Sequence, residues 1–568
     1  MVVLRKPPSA TGDFGGTKLS LLLEKQHNRG QDGAGAAILR ARPVPGEEPY
    51  WIAKSASSTP LVDVLGAIGK RPGIVGVKPN TPTESSERIF LGHLRYATFG
   101  KNDVAFCHPF VHESSDLAHT LLLAGNFNLT NAHELFDDYA RHGSFPTSKA
   151  DGYLICELIA HELERNAHLA DAIANALKNA DGAWTLCGAT GDGWAFATRD
   201  PHGIRPGFCY IDEHVVVVAS ERPAIQAAFD VPPEAVKELP PGEVLIVSPS
   251  GEVQMSELGS DINARPRPCS FERIYFSRAN DADIHRERKA LGAALLPRIL
   301  KAADAPLEDI FFSYIPNSAR IAFHGLLEIL FSNTIKQYKQ SSNQTIPAPR
   351  FGEVIVKDAK FRTFIADAAA RREFYKHVYD VTYGLVKKDD TLVVLDDSIV
   401  RGNTMKNAIL PMLDRLGPKR IVIASSAPPI RYPDCYGIDM STLGELVAFK
   451  ALVNLLDGER GMGNGERELR EALVGRALRA RRPQLNPLAP LYARFTEEQH
   501  CAEIARLLTP PGMRAEVKVV YQTVEDLKHC LSGIGDWYFT GDYPTPGGYK
   551  VLNTALHHYI EKSNERSY

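Results

Sequence analysis

The chain has 568 residues, of which 44% are apolar and 23% are charged, and its formal net charge is −3. This composition is typical of a globular protein with room for more than one hydrophobic core. A net charge so close to zero provides no basic surface of the kind that binds nucleic acid, and no apolar run reaches the roughly 18 residues of a membrane-spanning helix.

The eight cysteines are scattered along the chain without the spacing of a disulfide framework. The first residues contain no apolar segment of the kind found in secretory signal peptides. Both features favour free thiols in a reducing compartment. We therefore expect a cytoplasmic protein that binds neither nucleic acid nor a membrane.

The first elements predicted along the chain are a strand over residues 2–5 and a helix over residues 17–28 with leucines on one face. Residues 26–35 (QHNRGQDGAG) then form either a turn rich in side-chain donors and acceptors or an ordinary helix end capped by glycine. Residues 41–90 are rich in proline, serine and glutamate, which predicts a surface insertion.

Two polar residues follow predicted strands in the next part of the chain. Arg95 emerges from a strand in LGHLRYATFG, where its guanidinium could hold a carboxylate through two hydrogen bonds or form a surface ion pair. Residues 120–124 predict another strand, and Asn126 lies just beyond it. An amide there could donate to a developing oxyanion or form an Asx turn.

The most informative pattern occupies residues 391–404 (TLVVLDDSIVRGNT). Residues 392–395 predict a buried parallel strand, and two carboxylates, Asp396 and Asp397, follow it directly. A short polar loop leads into a helical pattern, and a second β-branched run occupies residues 420–427. Such a βαβ unit places the loop at the carboxyl end of the first strand, where open α/β sheets bind ligands.

The residue types of this loop indicate a phosphorylated sugar. Backbone N–H groups at the helix start, residues 401–404, suit a phosphate, and Ser398 and Thr404 add hydroxyl donors. Asp396 and Asp397 would repel a bare phosphate, so a cation or sugar hydroxyls must separate them from it. A sugar phosphate with Mg²⁺ meets both demands, whereas two solvated aspartates at a strand end are the alternative.

The same loop resembles the phosphoribosylpyrophosphate (PRPP) signature of type I phosphoribosyltransferases. It is most similar to that of glutamine-dependent amidophosphoribosyltransferases, which usually have VDDSIVRGTT, with Asn403 in place of the first threonine. The resemblance implies a PRPP site that comprises Asp396, Asp397, Ser398, Arg401, Gly402, Asn403 and Thr404. It also implies that Thr363, Asp396 and Asp397 serve a Mg²⁺ site.

The N-terminal half resembles the N-terminal-nucleophile (Ntn) glutaminase domain of the same enzymes. QHNRGQDGAG, GHLRYATFG and GNFNLTN correspond to the usual QHRGQDAAG, GHVRYPTAG and HNGNLTN, and the resemblance extends over roughly residues 1–450. It implies a glutamine pocket formed by Gly30, Arg95, Thr98, Asn126 and Asp151. Arg95 would hold the α-carboxylate, Asp151 the α-amino group, and Asn126 would donate to the oxyanion together with the backbone N–H of Phe127.

The nucleophile of this family is an N-terminal cysteine in Cys-Gly-Ile, made reactive by its own α-amino group. The first cysteine here is Cys107, which has no free amine, and Thr11 lies too close to His27 for a strand, a turn and a helix to fit between them. Two hypotheses follow. Cys-Gly-Ile precedes Met1 in the natural protein, which the retained glutamine pocket favours, or the protein uses free ammonia alone.

Some members of the family carry a [4Fe–4S] cluster on four cysteines. Cys269 and Cys435 match two of these positions, but Gly535 and Tyr538 stand where the remaining pair is expected. Because such a cluster requires four thiolates, we predict that none is bound.

The resemblance implies an α/β and α+β chain of two domains: an Ntn-type αββα sandwich (1–262) and a type I phosphoribosyltransferase with a doubly wound parallel sheet (263–455). Beyond them, the Arg- and Glu-rich sequence predicts a C-terminal helical extension and tail (456–568). The implied enzyme is a homo-oligomer that uses Mg²⁺, PRPP and glutamine or ammonia. It makes 5-phosphoribosylamine in the first step of purine biosynthesis. The alternatives are an ammonia-only or other phosphoribosyltransferase with a vestigial glutaminase domain, and a PRPP-sensing regulator.

Overall fold

The computed structural model divides the chain into two compact units. The described residues are 1–5, 13–40, 43, 46–71, 87–96, 103–141, 143, 145–148, 150–165, 168–259, 264–340, 348–357, 379–438, 440–477, 485–563, 565 and 567. One unit contains residues 1–269 and a short segment at 435–438, and the other contains the rest. The predicted boundary after residue 262 lies outside the described residues. No helix in the described ranges is both long and apolar enough to cross a membrane.

The described strands of the first unit form two sheets, and its helices cover the outer faces of those sheets. The strands are β1 (Val2–Leu4), β2 (Gly33–Arg40), β3 (Tyr50–Ser55), β4 (Glu87–Arg95), β5 (Phe110–His112), β6 (Leu121–Leu129), β7 (Gly182–Thr190), β8 (Ala195–Arg199), β9 (Phe208–Ile211), β10 (Val215–Ala219), β11 (Lys237–Glu238), β12 (Glu243–Val247) and β13 (Val253–Glu257). The helices are α1 (Phe14–Lys25), α2 (Pro60–Ile68), α3 (Ala132–Arg141), α4 (Asp151–Leu163), α5 (Leu169–Leu177) and α6 (Arg222–Phe229).

Two antiparallel sheets form the middle of this unit. One has seven strands in the order β11-β9-β10-β1-β4-β2-β3, and the other has six in the order β13-β12-β8-β7-β6-β5. Apolar side chains of both sheets, among them Val3, Leu91 and Leu122, pack between them. Helices α1, α2 and α6 cover the outer face of the first sheet, and α3, α4 and α5 cover that of the second. The layer order is therefore αββα, which confirms the predicted Ntn-type sandwich.

A buried ion network fixes the start of α1 against the sheet. The Asp13 carboxylate caps α1 by accepting a backbone N–H of its first turn at 2.9 Å, and it also accepts two hydrogen bonds of 2.7 Å from Arg71. The same guanidinium donates to Glu87 at 2.7 Å. Glu87 begins β4, so this network anchors the strand whose last residue is Arg95.

The second unit is built from a five-stranded parallel sheet, a separate two-stranded antiparallel sheet of its third and fourth strands, and helices. Its strands are β14 (Ile310–Tyr314), β15 (Arg350–Phe351), β16 (Ile355–Lys357), β17 (Tyr379–Val381), β18 (Thr391–Asp396), β19 (Arg420–Ser425) and β20 (Glu516–Tyr521). Its described α-helices are α7 (Ala282–Ala303), α8 (Arg320–Gln340), α9 (Leu410–Asp414), α10 (Val447–Arg460), α11 (Asn464–Ala477), α12 (Ala489–Tyr492), α13 (Glu497–Leu508), α14 (Val524–Cys530), α15 (Trp537–Thr540) and α16 (Pro546–Ile560). Two π-helical turns add Glu272–Phe276 and Met405–Ile409.

The five-stranded parallel sheet has the order β15-β14-β18-β19-β20. On one face, Leu392 and Val394 pack with side chains of α10 and α13. On the other face, Val393 and Leu395 pack with side chains of α7 and α8. β18 is thus buried on both faces, which explains its continuous apolar sequence and confirms the predicted doubly wound sheet.

The range 456–568, which the sequence set apart as an extension, contributes a strand to this sheet. β20 pairs with β19 over its whole length, with Glu516 opposite Arg420 and Tyr521 opposite Ser425. The edge strand β20 therefore comes from residues that lie almost one hundred positions after its neighbour β19 in the chain.

Residues 435–438 belong to the first unit although they follow β19 in the sequence. Asn128 donates from Nδ2 to the Cys435 carbonyl at 2.7 Å, and the Arg205 guanidinium donates to the Tyr436 carbonyl. Gly437 has a φ of 98°, and a Cβ there would lie 2.5 Å from Arg205 Nη2, so only glycine fits this turn. Two polar side chains thus hold the segment on the sandwich.

We predict that Asn128→Ala loosens this segment. Asn128 and Cys435 are both buried, so the substitution leaves the Cys435 carbonyl without its donor, at a cost of about 1–3 kcal/mol. Hydrogen exchange measured by mass spectrometry should become faster at residues 435–438. Asn179→Ala, which removes an exposed side chain of the same unit, is the control and should leave that exchange unchanged. Equal exchange in both variants would contradict this role of Asn128.

Candidate functional site

Gly30 and Arg95, two of the predicted glutamine-binding residues, lie against each other in the first unit. Arg95 ends β4 opposite Gly33 of β2, and its side chain is buried with the guanidinium carbon 5.7 Å from the Phe106 ring centroid. A Cβ on Gly30 would stand 2.5 Å from the Arg95 carbonyl carbon. The turn can pass this close to the strand end only because residue 30 is glycine. Thr98 lies outside the described residues.

Asn126 lies inside a strand, not in a loop beyond one as the sequence predicted. β6 continues to Leu129, because β7 pairs with it without a break and places Thr185 opposite Asn126. The asparagine is half-buried in this ladder. The polar residues after Ala124 suggested a loop. They continue the strand because they pair with β7, about sixty residues later in the chain.

Two histidines that the sequence analysis did not single out hold the peptide next to Asn126. His108 accepts the Gly125 N–H at Nδ1, over 3.2 Å. Extension of the β5–β6 register past Phe110 places residue 108 opposite Gly125, so the imidazole continues the ladder where β5 has ended. His93 stacks on His108 with ring centroids 3.9 Å apart and an interplanar angle of 9°.

Burial favours the neutral form of both imidazoles. Burial lowers the pKa of His93 to about 4, while a hydrogen bond with the Gly125 backbone acts in the opposite direction. Burial also lowers the pKa of His108 well below its usual value, and the nearby charges of His93, Lys54 and Arg95 lower it further. A neutral His108 has a lone pair on Nδ1, which the Gly125 hydrogen bond requires.

Asp151 begins α4 and lies close in the fold to Asn126. Its Oδ1 accepts the Gly152 N–H at 3.0 Å. A Cβ on Gly152 would meet the Phe127 ring at 2.5 Å, so the start of α4 packs directly against the residue that follows Asn126. The structure thus brings the Asp151 helix end to the Asn126 strand, and it places Gly30 beside Arg95.

The predicted PRPP loop lies at the carboxyl end of β18. Asp396 is the last residue of the strand and is half-buried, whereas Asp397 is 6% exposed. The Asp397 carboxylate accepts hydrogen bonds from the Ser318 and Ser398 hydroxyls, and its backbone N–H donates to Asp396 Oδ1 at 2.9 Å. Ser318 is a further residue that the sequence analysis did not single out.

The two carboxyl groups differ in their electrostatic surroundings. Burial and the charge of Asp397 raise the pKa of Asp396 well above its usual value. Burial also raises the pKa of Asp397, but the hydrogen bonds from Ser318 and Ser398 and the charge of Arg288 oppose that rise. Two neighbouring carboxylates in this setting favour a cation or several hydroxyl groups as ligand.

The remaining predicted loop residues lie together between β18 and the next helical turn. Gly402 has a φ of 75°, and a Cβ there would stand 2.3 Å from a methyl carbon of Leu508. The Arg401 guanidinium pairs with Glu445 at 2.8 Å. Asn403 and Thr404 open the helical segment, whose Lys406 N–H bonds the Gly402 carbonyl at 2.9 Å. The backbone thus turns sharply at Gly402 and enters the helical segment, where the Asn403 and Thr404 side chains are exposed.

The donor set of this loop fits Mg²⁺ that is shared with a substrate. In the part of the chain that the structure describes, no group of three or more histidine, cysteine or acidic residues could hold a metal alone. Mg²⁺ is commonly bound by one or two carboxylates together with substrate phosphates, and Asp396 and Asp397 supply that number. Thr363 lies outside the described residues.

Known proteins similar to this chain include a domain family and whole enzymes. A family model described as a glutamine amidotransferase domain matches residues 108–227. The amidophosphoribosyltransferase of Bacillus subtilis is 32% identical over 378 residues, which are 65% of this chain and 72% of that enzyme. The amidophosphoribosyltransferase of Methanocaldococcus jannaschii is 30% identical over 377 residues, which are 63% of this chain and 74% of that enzyme. The chain belongs to the amidophosphoribosyltransferase family.

Solved structures of amidophosphoribosyltransferases and related enzymes share the fold. Glutamine PRPP amidotransferase from B. subtilis, complexed with ADP and GMP, has a TM-score of 0.65 and 24% identity over 94% of this chain and 96% of that one. A structure of the allosteric regulatory enzyme of purine biosynthesis also has a TM-score of 0.65, at 25% identity over 94% of this chain and 95% of that one. The amidophosphoribosyltransferases are glycosyltransferases of the first step of purine biosynthesis.

We predict that the ring nitrogen of His108, not its ring shape, protects the Gly125 amide. His108→Phe keeps a ring to stack on His93 but has no acceptor, so hydrogen exchange at residues 121–129 should be about tenfold faster. His108→Asn carries an acceptor near the Nδ1 position and should restore much of the protection. His119→Phe, at a partly exposed turn, is the control. Equal exchange in the Phe and Asn variants would contradict the prediction.

Proposed function

We propose that this chain makes 5-phosphoribosylamine from PRPP, with ammonia as the attacking nucleophile and glutamine as its source. The observation that carries the proposal is the pair Asp396 and Asp397 at the end of a doubly buried strand, followed by the sharp turn at Gly402. A carboxylate pair suits ribose hydroxyls and a divalent cation, and the helix start beyond the turn suits a phosphate.

In this proposal, residues 398–404 bind the 5-phosphate through their backbone N–H groups and through Ser398, Arg401, Asn403 and Thr404. Asp396 and Asp397 hold the ribose, with Thr363 completing the metal site. Mg²⁺, when bound, offsets the charge of the pyrophosphate. The C1–O bond breaks with its electron pair leaving on pyrophosphate, ammonia forms the new C1–N bond, and the nitrogen then loses one proton to solvent. We also propose that no iron–sulfur cluster is bound, since Gly535 and Tyr538 offer no thiolate.

The glutamine site of the proposal lies in the first unit. Arg95 would pair with the α-carboxylate, while Asp151 would accept from the α-amino group and Gly30 and Thr98 would line the pocket. Asn126 would donate to the oxyanion that forms on the amide carbon. The close approach of Gly30 to Arg95 and the packing of the α4 start against Phe127 support this assignment. A cytoplasmic homo-oligomer remains part of the proposal, and the eight free thiols support a reducing compartment.

The register of β1 supports a place for the proposed nucleophile before Met1. The Met1 amino group donates to the Val218 carbonyl at 2.7 Å, and Val2 pairs with Phe90 of β4. Because β1 and β4 are antiparallel, three residues added before Met1 would lie opposite Gly92, His93 and Leu94, next to Arg95. A cysteine there would reach the end of β4 that carries the proposed glutamine pocket.

We predict that loss of both carboxylates abolishes PRPP chemistry. Asp396→Asn with Asp397→Asn should lower pyrophosphate release by a factor on the order of 100 or more, with ammonia as donor, because the ribose and metal lose their ligands. Asp304→Asn with Asp389→Asn removes the same charge at two exposed positions with left-handed backbone, where asparagine fits. Turnover in the first double variant equal to that of this control would remove the assignment.

We predict different nitrogen donors for two forms of the chain. The form that begins at Met1 should use ammonium in alkaline buffer, where more free ammonia is present, and almost no glutamine, because binding and an oxyanion hole alone give little catalysis. The form with Cys-Gly-Ile before Met1, processed to expose the cysteine, should gain glutamine use. A Ser-Gly-Ile form is the matched control. Strong glutaminase activity from the Met1 form would show that another residue is the nucleophile, and failure of the Cys-Gly-Ile form would favour the ammonia-only enzyme.

A further inference from the structure

Tyr521 is the last residue of β20, and its side chain is fully buried. Its phenol oxygen has no hydrogen-bond partner among the residues that the structure describes. Buried hydroxyl groups are nearly always satisfied, and an exception usually marks a functional role or an unseen ligand. The position of this phenol in the sheet indicates which acceptor it could bond.

Tyr521 lies in the same row of the sheet as Asp396. The register places Asp396 beside Ser425 of β19, and Ser425 beside Tyr521 of β20. All three side chains share the face that carries Val394 and Val519. Two strand spacings separate the Asp396 and Tyr521 backbones by about 10 Å. The Ser425 side chain between them is small and bonds the Ala427 carbonyl at 2.8 Å, so the tyrosine ring can extend over it.

No hydroxyl group of the described residues donates to Asp396. Asp397 accepts from two serine hydroxyls, whereas Asp396 accepts the backbone N–H of Asp397 and shares a hydrogen bond with the Asp397 carboxyl group. Burial, the Cys501 thiol and the charge of Asp396 raise the pKa of Tyr521 well above its usual value, so the phenol keeps its proton. Tyr379 is another phenol whose pKa burial and the two aspartates raise, to about 12, but its side chain is only half-buried.

We propose that Tyr521 is a positioning residue of the phosphoribosyl site. Its phenol O–H donates to the Asp396 carboxylate when substrate is bound and fixes the direction in which that carboxylate meets the ribose and its cation. This inference rests on the proposed function of the Asp396–Asp397 pair. It assigns to the C-terminal strand a direct part in the site, through a side chain that never touches the substrate itself.

The test is calorimetric binding of PRPP with Mg²⁺ to the full chain. Tyr521→Phe removes one oxygen atom, and the dissociation constant should rise about tenfold because a hydrogen bond to a charged group is lost. The KM for PRPP with ammonium should rise by the same factor while kcat changes little, as expected for an interaction made equally before and during reaction. The melting temperature should stay constant or rise, because the variant removes an unsatisfied buried hydroxyl.

Tyr543→Phe is the matched control. Tyr543 is also buried in the second unit, but its hydroxyl donates to the Pro433 carbonyl at 2.7 Å. Its loss should lower the melting temperature and leave PRPP binding unchanged. Opposite behaviour of the two variants separates a role in the site from a role in stability. If Tyr521→Phe binds PRPP as the wild type does, the inference is wrong.

A double-mutant cycle tests whether Tyr521 acts through Asp396. In the Asp396→Ala background, which has no side-chain acceptor, Tyr521→Phe should cause no further loss of PRPP binding. A further tenfold loss would show that the phenol acts on another group and would overturn the inference. If Asp396→Ala alone binds PRPP normally, the proposed function of this carboxylate fails, which is a different result from a Tyr521→Phe variant that binds normally.

Discussion

The proposed site of the second unit depends on two adjacent carboxyl groups, Asp396 and Asp397, at the end of a strand that is buried on both faces. Taking a carboxylate out of water is costly unless donors or a cation compensate. Ser318 and Ser398 compensate Asp397 by direct hydrogen bonds, and the chain turns at Gly402 into the helical segment. In the proposed function, a ligand that carries hydroxyls and a cation completes the loop. PRPP with Mg²⁺ is such a ligand.

In the first unit, a backbone N–H group at the end of a strand pairing also needs an acceptor, and an imidazole provides it. The Gly125 N–H lies beyond the end of β5, where the ladder offers no carbonyl, and the His108 imidazole takes that place. This ring stacks on His93, and burial favours the uncharged form of both imidazoles. The backbone beside Asn126 is thereby held before any substrate arrives, which is what an oxyanion donor requires to act without reorganisation.

The sequence was sufficient where the signal is local. Residues 392–395 predict the central strand because an apolar run of that length fits a strand buried on both faces, and the carboxylates at its end identify the loop. The strand assignment of Arg95 and the αββα and parallel-sheet classes are confirmed. That one chain contains both a glutaminase-type and a phosphoribosyltransferase-type domain was predicted from the family resemblance. The hydrophobic periodicity of the sequence does not show it.

The features that the sequence did not predict depend on pairing between residues that lie far apart in the chain. Residues 50–55 lie in the range predicted as an insertion, yet they form β3 because they pair with β2 along its length. β20 belongs to a sheet whose other strands precede it by almost one hundred residues or more. His108 gave no local signal, because its role depends on a peptide seventeen positions away. Such features arise from register, which a single sequence does not specify.

The central claim is that this chain joins nitrogen to C1 of PRPP. The most direct measurement follows the wild-type chain with PRPP, Mg²⁺ and ¹⁵N-ammonium by ³¹P and ¹⁵N NMR. The account predicts that pyrophosphate appears in equal amount with a product in which ¹⁵N is bonded to C1 of ribose 5-phosphate. Stable PRPP, or its conversion to ribose 5-phosphate and pyrophosphate with no ¹⁵N incorporated, would contradict it.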